Sequence, residues 1–291
     1  TSAQYVAGST FAIKTNTTLY AVYTTGTSVI AKIGPAGGYI VYDNPSYATA
    51  GWRYLEAAPA DLPGTHPWDA GGNILVGGTE SGEGSGAENT LRILNVLGPG
   101  NYAASLCSSY SVTNRGVCYD DWFLPSVNEL KAVYGALLGT PGSISGKYYW
   151  SSRESGNAYA DCIRNTSSGS TERSNLLFLR PVRVTGGTIN FDPTLAMFNS
   201  GPTVTATGKF SIRVLFTLDK KALVYAVALE GGSPAPDVTN IVGWYNGLSL
   251  PGGSAYEQVF GDEENWSELL PGKTYDIYYI IDTYGIRSTP V

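Results

Sequence analysis

The stretch Cys118-Tyr119-Asp120-Asp121-Trp122-Phe123-Leu124-Pro125-Ser126-Val127-Asn128-Glu129-Leu130 decides how this chain is read. It opens as a short apolar strand or turn, stops at a proline and launches a helix. Pro125 disfavours helical backbone at Leu124. Ser126 is placed to cap the helix, and Glu129, three residues on, completes a Ser-x-x-Glu capping box. Leu130, Val133, Tyr134, Leu137 and Leu138 then share one helical face. Trp122 carries a large apolar area and is expected to be buried. Asp120 and Asp121 are adjacent and do not face each other. Asp121 is expected to accept hydrogen bonds that fix the turn before Trp122.

Composition limits what surrounds this stretch. The chain has 291 residues, of which 43% are hydrophobic and only 14% charged. That is long for one domain and comfortable for two or three. Gly 36 and Tyr 21 are high, which suits turn-rich, β-heavy structure and a secreted or surface protein. Net charge is −6 and the pI about 4.9. Nucleic-acid partners draw most of their affinity from a basic face, so they are excluded, as is docking of a basic patch on anionic lipid. No apolar run of about 18 residues occurs, so no membrane span is expected. Thr1 to Gly8 lack the charged and apolar regions of a signal peptide. The Cys count is 3, so not all can pair within the chain. Cys107 and Cys118 enclose a short loop and either pair or stay free; Cys162 is then a free thiol.

Going along the chain, residues 1–33 alternate apolar and polar side chains around the turn "KTNT", the pattern of a β-hairpin. A lone hairpin is marginal in water, so it is expected to dock on the rest of the chain or on a neighbouring subunit. Residues 34–185 form a second unit, in which Gly37 to Asp43 reads as the first strand and Leu176 to Val184 as the last. A helix is expected from about Ala87 to Leu97, with Leu91, Leu94 and Leu97 inward and Gly98-Pro99 as its stop. "NYAASLCSSY" gives a second short helix and Ser126 starts a third. Two Gly- and Ser-rich stretches, 71–86 and 155–175, read as long loops. Residues 188–291 carry short apolar or alternating runs at "KFSIRVLFTL", "ALVYAVALEG", "NIVGWYNG", "AYEQVFG" and "KTYDIYYIID", the spacing of an all-β sandwich.

The opening stretch also carries a resemblance. "YDDWFLPSVNEL" is similar to the Asp-Trp-x-Leu-Pro-Ser-x-x-Glu-Leu signature of bacterial surface modules with the C-type-lectin-like fold, in the variant of formylglycine-generating enzymes. "GPAGGYIVYD" at 34–43, "GWRYLEAAPADL" at 51–62, and "YYWSSRES" with "LRPVRV" between 148 and 184 match in order, so the resemblance covers about half of the chain. It implies that the first and last strands of the module pair. The segment before it resembles the last two strands of a Listeria–Bacteroides repeat. "LLPGKTYDIYYIIDTYGIRSTP" resembles the closing strands of Ig-like, fibronectin type III-like modules, where Tyr275 would be a packing corner residue. The expected class is thus an α+β C-type-lectin-like module plus an all-β Ig/fibronectin-like sandwich, with an N-terminal β-hairpin.

The chemistry expected from these residues is binding. His66 is the sole histidine and no Gly-x-Ser-x-Gly elbow accompanies it. Cys107 and Cys118 lack a nearby histidine and the spacing of a zinc site. The related oxidative enzymes use cysteines near the end of the module, where this chain has "NLLFLRPVRV", so no catalytic residue is carried over. The glycine-rich stretches lack the Lys-Ser/Thr of a phosphate loop. The Glu-Pro-Asn and Trp-Asn-Asp motifs of calcium-dependent sugar lectins are missing. No cofactor is expected, with calcium left open at the acidic loops 43–45 and 261–265. In the family the residue after the tryptophan is often arginine; here it is Phe123, and packing is expected to replace the lost polar contact.

What remains is a candidate face of Tyr148, Tyr149, Trp150, Arg153, Asn157, Tyr159, Arg164, Asn165, Arg173 and Asn175. Tyr, Trp and Arg are the usual hot spots of recognition, and Asn adds adaptable hydrogen bonds. The competing reading makes "YYW" core. The expectation is a non-enzymatic extracellular or cell-surface adhesion protein that binds a protein or glycan. The alternative is a surface-filament subunit assembled by strand addition.

Overall fold

In a computed structural model of the chain, residues 28–189, 191–192, 194–206, 211–244, 247–260, 269–270, 272–288 and 290 are described. The expected hairpin of residues 1–33 lies outside them up to residue 27, as does the acidic loop at 261–265. The described chain is mostly β-sheet, in five antiparallel sheets with few helices.

The elements up to residue 185 are β1 (Tyr39–Asp43), α1 (Tyr47–Ala50), β2 (Tyr54–Ala57), α2 (Ser85–Leu97), α3 (Ala103–Ser108), β3 (Val112–Asn114), β4 (Val117–Tyr119), α4 (Val127–Leu137), β5 (Tyr148–Glu154), β6 (Tyr159–Arg164), β7 (Ser167–Glu172) and β8 (Val182–Thr185). The opening stretch folds as its residues dictate. The Ser126 hydroxyl accepts from the Glu129 N–H at 3.2 Å, and the Glu129 carboxylate accepts from the Ser126 N–H at 2.7 Å, closing the capping box of α4. Trp122 is buried, its indole N–H donates to the Tyr119 carbonyl at 3.0 Å, and Tyr110 packs edge-on to it. Phe123 is buried in the core and exchanges both backbone hydrogen bonds with Val182, at 2.8 and 3.0 Å. Asp121 accepts from Arg183 at 2.7 and 2.9 Å, so its partner lies on the last strand.

The implied pairing of first and last strands is corrected. The sheet order is β1-β2-β8, with β2 between them. The centre suits β2 because Leu55, Glu56 and Ala57 are fully buried. Glu56 accepts from the N–H groups of Ala36 and Gly38, both at 3.0 Å, on one side and from Arg183 at 3.0 Å on the other. Burial nevertheless pushes the Glu56 carboxyl up, against the pull of Arg183.

Sheet β5-β6-β7 separates two cores. Tyr149 and Ile163 join Val127, Leu130, Val133 and Leu137 of α4 and the apolar side of β1-β2-β8. Trp150, Ala160 and Cys162 join Ile93 of α2, Ala103, Ala104 and Cys107 of α3, and Trp68. On α2 the buried side chains are Asn89, Thr90, Arg92 and Ile93, while Leu91, Leu94 and Leu97 are only half-buried. Cys107, Cys118 and Cys162 are all free thiols.

The remaining elements are β9 (Phe198–Ala206), β10 (Ile212–Leu218), β11 (Ala222–Glu230), α5 (Val238–Trp244), β12 (Leu248–Leu250), β13 (Ala255–Phe260), β14 (Tyr275–Thr283) and β15 (Ile286–Arg287). They make a three-stranded sheet, β13-β10-β9, and a four-stranded sheet, β12-β11-β14-β15. Val214, Phe216 and Leu218 of the first pack with Val224, Tyr279 and Ile281 of the second. "NIVGWYNG", expected as a strand, begins inside helix α5 instead. Asp237 accepts from the Thr239 N–H at 2.7 Å and so caps the helix. Val238, Ile241 and Val242 then share a helical face against Tyr225 and Val227.

A strap at 74–79 lies between these two groups of elements. Glu154 accepts from the N–H groups of Val76 and Gly77 at 2.7 and 2.6 Å, and Arg287 donates to the Val76 carbonyl at 2.7 Å.

Candidate functional site

The site follows from the register of the β6-β7 hairpin. The stretch 155–175, expected to be a loop, is mostly this hairpin. Arg164 pairs with Ser167 across the two-residue turn Asn165-Thr166, and Asn165 sits at φ 58°. Asn tolerates that left-handed backbone, which two-residue hairpins demand. The Asn165 carboxamide also accepts from the Gly146 N–H at 2.9 Å.

Tyr148 pairs with Arg164, Trp150 with Cys162, Cys162 with Gly169 and Ala160 with Thr171. Side chains alternate across a sheet, so these residues share one face. At Trp150 and Ala160 that face is covered by the core beneath α2 and α3. Toward Tyr148, Arg164 and Gly169 the cover ends, leaving a cleft of about 750 Å³. Its floor is Cys162 and Gly169, strand β7 adds Ser167 and Thr171 from the same face with Ser168 and Ser170 between them along the strand, and its rim is Tyr148, Arg164, Asn165, Asn175, Leu176 and Leu177. A Cβ at Gly169 would meet nothing within 4 Å, so the missing side chain opens the floor.

The rim pairs apolar and cationic groups. The Arg164 guanidinium stands over the Tyr148 ring, 5.2 Å from its centre. Among the described residues Arg164 has no carboxylate within salt-bridge distance, and no Asp or Glu lines the cleft. Leu176 is 60% exposed at the edge. Asn175 donates to the Thr171 hydroxyl at 2.6 Å. Burial, then the neighbouring Asp161, pushes the Cys162 thiol up, so it stays protonated at neutral pH.

Four of the ten sequence-derived residues thus meet in the cleft: Tyr148, Arg164, Asn165 and Asn175. Arg153, Asn157 and Tyr159 are solvent-accessible but lie outside its lining; Arg153 pairs with Asp161 at 2.7 Å. The other three are corrected to support beneath the face, because burial removes them from any ligand. Trp150 is fully buried and its indole donates to the His66 carbonyl at 2.8 Å. Tyr149 is buried and donates to Asp61 at 2.8 Å. Burial opposes the charge of Asp61, but Arg180, Lys147 and Tyr149 hold its carboxyl below the ordinary range. Arg173 is 1% exposed, stacks over Trp68 at 4.5 Å, pairs with Glu154, and donates to the carbonyls of Ile74 and Gly156 at 2.9 and 2.6 Å.

Sequence reading missed the cleft's serines and Gly169, which sat inside a presumed loop. The Asn-Thr turn between "YADCIR" and "SSGSTE" was the available signal.

His66 forms an antiparallel bridge with Leu177, and one of its ring nitrogens lies 2.9 Å from the Pro63 carbonyl. Among the described residues no three metal-ligating side chains cluster. Asp43 is engaged by Arg53 at 3.2 Å, and Asn44 builds the turn that follows. Among the described residues no helix is long and apolar enough to cross a membrane. No family model matches this chain, and no curated protein is significantly similar to it.

Proposed function

We propose that this is a non-enzymatic extracellular or cell-surface recognition protein that holds a glycan or protein ligand in the β5-β6-β7 cleft. The observation that carries this reading is the cleft itself. An open cavity lined by hydroxyls and amides, with an aromatic ring and a guanidinium that has no carboxylate partner among the described residues on its rim, offers several weak contacts, and burial raises the pKa of its one thiol, Cys162. Such a lining suits ligands held by many polar contacts around an aromatic anchor.

We read the first group of elements as a C-type-lectin-like module. Its supports are the capping box after Pro125, the buried Trp122 and the Phe123–Val182 bridge. We read the second group as an Ig/fibronectin-like sandwich. Its support is Tyr275, whose hydroxyl accepts from the Leu270 N–H at 2.7 Å, the corner contact its resemblance implies.

Arrays of glycans and of surface proteins, probed with the purified chain, test the proposal. At least one ligand class should be retained. Arg164→Ala and Gly169→Leu should lose it, while Tyr159→Ala, outside the cleft, should keep it. Retention by both cleft variants would overturn the assignment.

A further inference from the structure

The second group of elements carries an opening of its own, separate from the cleft. A groove of about 380 Å³ runs between β9 and β14, lined by Pro202, Val204, Ile212 and residues 275–279. From Tyr275 to Ile280, β14 pairs with β11 on one side only, because β15 meets it at Asp282 and Thr283. Among the described residues its other edge therefore has no strand partner, which makes it a template for another strand. β9 also has one free edge, but Pro202 removes an N–H there and guards it. No proline or lysine guards β14 between Tyr275 and Ile280. Val204 stands 58% exposed on the far wall. The Tyr279 hydroxyl is buried without a hydrogen-bond partner among the described residues. A buried phenol normally finds one.

We propose that this groove receives an extended strand from residues 18–25, the arm after the KTNT turn, of a second copy of this chain. The segment lies outside the described residues, and its sequence has the required form. Residues 18–25, Thr-Leu-Tyr-Ala-Val-Tyr-Thr-Thr, carry no charge, proline or glycine and are rich in β-branched and aromatic residues, the composition of a strand. Charge agrees: Lys14 is the only charged side chain before Ser28, and Asp276 is the only one lining the groove. The donor belongs to a second copy because Ser28 leads at once into the Ile33–Tyr39 bridge of the first group, while the groove belongs to the second. Groove and donor are different surfaces, so the contact either closes, as a dimer by reciprocal exchange or as a ring, or repeats into a filament. This inference does not depend on the cleft binding a ligand.

Differently tagged full-length copies test it, in a Cys118→Ser background that removes the exposed thiol. One copy carries Val204→Cys and the other Val22→Cys. Mild oxidation should join the two tags only when both variants are present. Light scattering of the unaltered chain should show association. Val204→Lys, at an exposed position that tolerates it, should weaken that association roughly tenfold or more. Deletion of residues 1–26 should leave a monomer that still binds at the cleft. A chain that stays monomeric at every concentration and gives no cross-link overturns the proposal. So does a bond that forms only within one chain carrying both cysteines, and so does association unaffected by Val204→Lys.

Discussion

Glu129 shows how much one side chain in the opening stretch does. Its carboxylate closes the capping box and also accepts from the Gly84 N–H at 2.8 Å, tying α4 to the turn before α2. Space around it is exhausted, since a Cβ on Gly86 would stand 2.1 Å from its oxygen. Glu129→Ala strands buried N–H groups that cost about 1–3 kcal/mol each when unpaired. We expect a loss of about 3 kcal/mol in denaturant unfolding. Burial pushes the Glu129 carboxyl up to about 7, against the hydrogen bonds from Ser126, Gly84 and Gly86. Below its ordinary value of 4.5 the group is protonated in both states and has no effect on stability. Between 4.5 and about 7 the folded state holds a proton that the unfolded chain has released. Stability therefore falls as pH rises through that window, and the penalty is complete above it. Unfolding measured across the window should show this slope in the native chain and lose it in Glu129→Gln.

At the scale of elements, legibility in the sequence depended on whether the signal was local. The capping box, the proline stop and the Gly98 stop of α2 rest on contacts within one turn, and they could be read directly. The order β1-β2-β8 could not, because it depends on Glu56 reaching Arg183 from 127 residues away. The β6-β7 hairpin was hidden by its composition: serine and glycine suggest a loop, while Asn165 at positive φ sets a two-residue turn. "YYW" was ambiguous because strand β5 is buried on both faces once Tyr148 is passed, so alternation alone could not sort surface from core. The turn can be tested. Asn165→Val puts a β-branched residue in left-handed backbone and should cost about 1–2 kcal/mol in thermal unfolding, whereas Asn165→Gly keeps the backbone, loses only the exposed hydrogen bond from Gly146 and should cost clearly less. At the other end of the chain, Tyr275→Phe loses the hydrogen bond from Leu270 and should cost about 1 kcal/mol in the same assay.

The whole molecule is held together across the strap at 74–79. Asp282 is fully buried and pairs with Arg92 of α2 and, at 2.9 Å, with Arg287 of β15. On the other side of the strap Glu154 binds Arg173, which holds the turn between β5 and β6. The cleft's supporting turn and the sandwich are thus linked through one short segment. Removing one partner of such a group leaves uncompensated charge, so Asp282→Ala should cost about 3–5 kcal/mol. It should also split a single unfolding transition into two, seen by comparing tryptophan fluorescence with far-ultraviolet circular dichroism. The central claim is narrower: a ligand sits over Gly169, between Arg164 and Leu176. Hydrogen exchange of the chain with and without a retained array ligand tests it most directly. The account predicts slowed exchange at residues 164–171 and 175–177, with the turn at 155–158 unchanged. Protection confined to other segments, with none in the β6-β7 hairpin, would contradict it.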